Sequence, residues 1–150
     1  MTRAAAADSG QAHVIPPLEM PRDEMAFRRQ YEPMLLARTL TTVFRPGNRL
    51  WPNWRGYQPG EIVTARVIDK PGSDARGIAP QFTAARIPIE IVDIKVIRAA
   101  ALAAADFCGS SPDVHDAESL RVHLAEIYEQ SLSAFDDVVT RIKFAYLDPA

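Results

Sequence analysis

The chain has 150 residues, 47% of them hydrophobic and 24% charged, with a formal net charge of −2. This is enough chain for one sizeable core and too little for two ordinary domains, and the composition excludes a disordered or fibrous protein. With 17 Lys plus Arg against 19 Asp plus Glu, no overall positive field draws the chain onto nucleic acid, so any such binding rests on a local patch.

The first 20 residues hold a short alanine run, Ser, Gly and a Pro-Pro pair, and read as a flexible N-terminal tail ahead of one domain over residues 21–150. No apolar stretch there has the length of a signal peptide or a membrane span, so neither export nor membrane contact is expected. Cys108 is the only cysteine. It has no disulfide or zinc-site partner, which fits a reducing, cytoplasmic setting, and it reads as a small buried residue.

Residues 25–29 read as a first strand. A short helix follows over residues 31–37, with Pro33 in its first turn, where the missing N–H does no harm. Residues 38–45, RTLTTVFR, are rich in Thr, Val and Phe and run into Pro46-Gly47, the pattern of a strand ended by a turn. After Pro59-Gly60, EIVTARVI alternates Ile62, Thr64, Arg66 and Ile68 against Val63, Ala65 and Val67, the period of a half-buried strand. Residues 69–80 form a long loop with two glycines and two prolines, placed to cover or line a site.

IPIEIVDIKVI, residues 87–97, reads as a long strand whose buried face switches, a pattern that a bulge produces. AAALAAADF is a short helical run. SSPDVHDAE supplies capping residues to a second helix with an apolar stripe of Leu120, Leu124, Ile127 and Tyr128. Residues 138–146 alternate again and make a last strand with one wetter face. About five strands with a few helices, in mixed order, point to an α+β domain or a small barrel.

The segments MLLARTLTTVFR, YQPGEIVTARVI, IPIEIVDIKVI, LRVHLAEIYE and VVTRIKFAYL together resemble the ASCH domain family of the PUA-like superfamily, over nearly the whole chain from Met25 to Leu147. The resemblance implies a PUA-like small β-barrel of about five to six strands with flanking helices, a cleft beside the Thr-rich strand, and a link to RNA or modified nucleosides. One branch of the family is an amidohydrolase that removes the acetyl group from N(4)-acetylcytidine with a Lys, a Thr and a downstream carboxylate; some relatives resemble ribonucleases. The alignment puts Thr41 at that threonine, Asp113 or Asp116 at the carboxylate, and Arg38 where the branch has its lysine. Arginine keeps its proton under nearly all conditions, so Arg38 can bind an anion but serves poorly as a general base. A proton acceptor would have to come from elsewhere, such as Lys95 or Lys143.

The residues themselves point to binding. Arg38, Arg45, Arg49 and Arg55 fall in a span with no acidic residue between Arg38 and Gly60, and the planar guanidinium suits phosphate or carboxylate. Trp51, Trp54 and Tyr57 interleave with them. Trp51 reads as a cap on the barrel end; Trp54, directly before Arg55, reads as a surface for stacking a base. Threonines on the strand need no reason beyond β-propensity, yet a hydroxyl facing a barrel interior can bond a base edge. His115 and His123 lack metal-site spacing and read as surface or capping residues, and neither a metal nor a cofactor is expected.

Three readings follow. The first is a domain that holds RNA, a nucleotide or a modified nucleoside in a cleft lined by Arg38, Thr41 and Arg45, with Arg49, Trp54, Arg55 and Tyr57 at its rim. The second is a hydrolase, either an amidohydrolase on an acylated nucleoside or a ribonuclease, with Thr41, Asp113 and Asp116 as catalytic residues. The third is a protein-interaction domain that meets its partner through the aromatic loop.

Overall fold

The computed structural model describes residues 20–147; the expected N-terminal tail, apart from Met20, lies outside them. Five strands, β1 (Glu24–Phe27), β2 (Thr42–Pro46), β3 (Ile62–Lys70), β4 (Gln81–Arg98) and β5 (Val138–Tyr146), form one sheet in the order β1-β3-β4-β5-β2. β1 runs parallel to β3, and every other pairing is antiparallel. The sheet curls into a half-barrel accompanied by two helices, α1 (Glu32–Leu36) and α2 (Ala117–Tyr128). This is a small, barrel-like α+β fold.

The alternation read in β3 sorts as expected. Val63, Ala65 and Val67 are fully buried, and they meet Met25 and Phe27 of β1 and Ile89 of β4 inside the curl. Each large apolar side chain so buried stabilises the fold by roughly 1.5–3 kcal/mol before entropy is counted. A second cluster lies under α2, where Leu120 and Leu124 pack on Phe44, Ala99 and Val139. Asp116 caps α2, accepting from the Ser119 backbone N–H at 2.7 Å, while the Ser119 hydroxyl accepts from the Asp116 N–H at 3.1 Å.

β4 begins at Gln81, ahead of the expected residue 87, because QFTAAR continues the pairing with β3 through two register shifts. Its register also shifts between Ile91 and Asp93. Before that bulge Ile89 and Ile91 point into the barrel; after it Ile94 does, which is the expected switch of face. Pro88 is tolerated inside the strand for a positional reason. Its carbonyl accepts from Leu147 at 3.3 Å, so its nitrogen also faces β5, where the ladder runs out after Tyr146.

The Thr-rich strand is shorter than its sequence suggests. Arg38 to Leu40 do not pair, and Thr41 joins β5 only through its carbonyl, which accepts from Phe144 N–H at 2.9 Å, because α1 closes in a Schellman turn: Arg38 N–H donates to the Leu35 carbonyl and Thr39 N–H to the Met34 carbonyl. Arg38 takes the left-handed position of that turn, with φ 62°, where glycine is usual. An arginine there does not announce a helix stop, and the β-rich composition after it suggested a strand.

β1 and β2 are the two edges of the half-barrel. Arg45 Nη2 of β2 donates to the Ala26 carbonyl of β1 at 2.7 Å, and the Tyr57 hydroxyl donates to the Glu24 carbonyl at 2.5 Å. Carbonyls two apart point the same way along a strand. Two side chains therefore satisfy the free edge of β1, and the opening they span is where the candidate site lies.

Candidate functional site

A cleft of about 500 Å³ opens at this gap, within the range of pockets for small organic ligands. One wall is the loop over residues 47–57. It folds back on itself through Trp51 N–H to the Tyr57 carbonyl at 2.9 Å and Tyr57 N–H to the Arg49 carbonyl at 2.8 Å. The Thr140 hydroxyl of β5 anchors its base, accepting from Arg49 N–H at 2.8 Å and donating to the Gly47 carbonyl at 2.7 Å. The opposite wall is the loop over residues 71–80, joined to the first by the Arg55–Asp74 ion pair at 3.2 Å and to the end of α2 by Ser73 Oγ donating to Glu129 Oε1 at 2.6 Å. The long loop expected to cover or line a site lines this cleft.

Arg45, Arg49, Trp54, Arg55 and Tyr57, all expected as ligand-binding residues, line this one cleft. Their roles differ. Tyr57 is buried, and its ring belongs to the barrel core. Trp54 is 61% exposed, with the Arg55 guanidinium 4.1 Å from its ring centroid. Trp51 is not the expected barrel cap. It is 46% exposed, and Arg22, itself paired with Glu61, stands over its ring at 4.0 Å. Both tryptophans of the chain thus present rings at the cleft.

Arg49 is the unusual residue. It is only 7% exposed, yet among the described residues no carboxylate pairs with it. Its guanidinium carbon faces the rings of Trp54 at 5.8 Å and Tyr128 at 5.7 Å. Burial pushes this guanidinium below its ordinary pKa, and Arg45 and Arg55 push it the same way. The half-buried Arg45 spends its hydrogen bonds on the carbonyls of Ala26 and Phe44, which carry no charge. Elsewhere the fold pairs the arginines it buries: Arg66 with Glu24 at 3.1 Å, and Arg141 with Asp106 and Asp93.

Arg38 and Thr41 do not reach the cleft. Arg38 lies by the last strand, with its guanidinium 5.8 Å from the Tyr146 ring centroid. Burial raises the Tyr146 phenol to about 12, with Arg38 opposing. Thr41 packs against the turn at Gly109, whose carbonyl accepts from Thr41 N–H at 2.9 Å. Lys143, considered above as a proton acceptor, reaches Thr42 instead, Nζ to Oγ1 at 3.1 Å. Thr42 is 1% exposed and its hydroxyl donates to the Cys108 carbonyl at 2.6 Å, so it is sealed from any substrate. Lys95 bonds Asp106, Asp116 is the cap of α2, and Cys108 is exposed where a buried position was expected. Thr41, Asp113 and Asp116 therefore do not converge.

Asp113 belongs to a different group, one that sequence reasoning missed. Its carboxylate accepts from Gln30 Nε2 at 3.2 Å and from Ser111 Oγ, and it stands 3.4 Å from His123 Nδ1; His123 Nε2 is 2.8 Å from the Tyr31 hydroxyl. His123 is not on the surface as expected. Its side chain is 14% exposed, and both it and Tyr31 line the cleft. Burial lowers the histidine pKa and raises that of the tyrosine, so the pair is neutral near pH 7. The partners suit a tautomer with Nδ1–H toward Asp113 and Nε2 accepting from Tyr31. No spacing signal links these residues, since they come from distant parts of the chain.

No protein-family model, curated protein or solved structure matches the chain.

Proposed function

We propose that the chain is an ASCH-like, PUA-like binding domain that holds RNA or a nucleotide in the cleft between β1, β2 and the two loops. The observation that carries this reading is Arg49, a buried cation with no carboxylate of the described residues beside it, lining an aromatic cleft. Keeping an ion away from water costs several kcal/mol unless an opposite charge meets it, and cation–π contact returns only about 0.5–2 kcal/mol. An anionic ligand supplies the missing charge, and the Trp51 and Trp54 rings supply stacking at about 1–3 kcal/mol per base. Binding is better supported than hydrolysis because the family's nucleophile position, Thr41, lies outside the cleft.

The test is fluorescence titration at low salt with short RNA oligonucleotides, with and without terminal phosphates, and with nucleotides. The double variant Arg45→Gln/Arg49→Gln is expected to weaken binding about thirtyfold or more, the equivalent of one charged hydrogen bond. Unchanged affinity in the folded double variant would remove this reading and favour a protein partner for the aromatic loop.

A further inference from the structure

We infer that the cleft selects a terminal phosphate monoester, so that its ligand is a nucleoside monophosphate or the phosphorylated end of an RNA, and neither an internal stretch of RNA nor a neutral nucleoside. This rests on the nucleotide-binding reading and narrows it.

The first reason is access. An internal phosphodiester continues as chain on both sides and needs an open groove past the cation that reads it. Arg49, lining the cleft at 7% exposure, is reachable only by a group that ends there. The second reason is charge. A phosphate monoester carries about −1.5 to −2 near pH 7, whereas a diester carries a single negative charge. Arg45 and Arg49 offer two positive charges, and neither is neutralised by a carboxylate of the described residues. A neutral nucleoside would leave both unmet.

The third reason is layout. Arg49 lies over the rings of Trp54 and Tyr128, at 5.8 and 5.7 Å, so a ligand with its phosphate on this guanidinium has aromatic faces beside it. A base attached to that phosphate stacks at the rim, where Trp51 and Trp54 are half to mostly exposed. The loops at the rim are cross-linked by the Arg55–Asp74 pair and by Ser73 with Glu129. The cleft is therefore shaped before a ligand arrives.

Both tryptophans of the chain line the cleft, so intrinsic fluorescence reports on it without a label. The chain is titrated with adenosine and adenosine monophosphate, and with one hexaribonucleotide carrying either a 5′-phosphate or a 5′-hydroxyl. A preference of about tenfold or more for the phosphorylated member of either pair is expected, and the pair that shows it identifies a free nucleotide or an RNA end as the source. Arg49→Gln is expected to abolish the preference; should that variant fail to fold, Arg45→Gln serves in its place. Equal binding of phosphorylated and unphosphorylated members overturns the inference while leaving RNA or nucleotide binding intact. Absence of binding by all four ligands overturns both. A preference that survives Arg49→Gln overturns the assignment of the phosphate to Arg49.

Discussion

The protonation of single side chains shows what the cleft imposes on its own stability. His123 is held below the ordinary imidazole value of 6.5 by burial, with Arg45 and Arg28 adding to the effect and Asp113 and Glu126 opposing it. The unfolded chain then binds the proton more tightly than the folded chain. Stability from this residue is full above 6.5 and falls as pH drops from there toward the lower folded value. Urea midpoints measured from pH 7.5 down to 5 are expected to decline in the wild type, and more shallowly in His123→Gln. Parallel declines in the two proteins would show that His123 is not the titrating group. The Arg38 position carries a separate lesson. Its charge promised a binding role, but its backbone is what the fold uses, as the left-handed residue that ends α1.

Among elements, the turn around Gly109 decides the fate of the Thr-rich segment. Gly109 has φ 83°, and a Cβ there would come within 2.1 Å of Thr41 Oγ1 and 3.2 Å of Thr42 Oγ1. The turn also accepts the N–H groups of both threonines through the Gly109 carbonyl, so these residues serve the start of β2 and not the cleft. Gly109→Ala is expected to destabilise the fold by about 2 kcal/mol or more, from backbone strain and overlap together. In a Thr41→Ala background the closest overlap is gone and the strain remains with only the milder contact at Thr42 Oγ1, so a double-mutant cycle by urea unfolding should show a smaller loss. An equal loss in both backgrounds would mean that Thr41 does not crowd the turn. Much at this scale was legible beforehand. Period-two alternation marked β3 and β5, the uneven alternation marked the bulge in β4, and the capping residues of SSPDVHDAE marked the start of α2. The early start of β4 at Gln81 was not legible, since the pairing with β3 that extends it is a contact between strands.

For the whole molecule, a net charge of −2 surrounds a cleft whose own charge is positive, so the proposed anionic ligand would be drawn by a local field that acts at short range. Affinity for a monophosphate is expected to fall only weakly with salt, through screening of one or two charges, because a single nucleotide holds no condensed counterions to release. A slope of log affinity against log salt of about −3 or steeper for RNA would mean that several phosphates lie along the surface, which the terminal-phosphate assignment does not allow. By itself the sequence determined the strand periods, the capped second helix, the long loop over residues 69–80, and the cluster of arginines and aromatics free of acidic residues. These are local patterns, written in neighbouring residues. Tertiary structure alone decided which arginines meet a carboxylate, that the edges of β1 and β2 face one another, and that Tyr31 and His123, 92 positions apart, share the cleft wall. An arginine shows its charge in the sequence, but whether that charge is neutralised depends on partners brought in by folding: Arg66 meets Glu24, 42 positions away, whereas no carboxylate among the described residues meets Arg49.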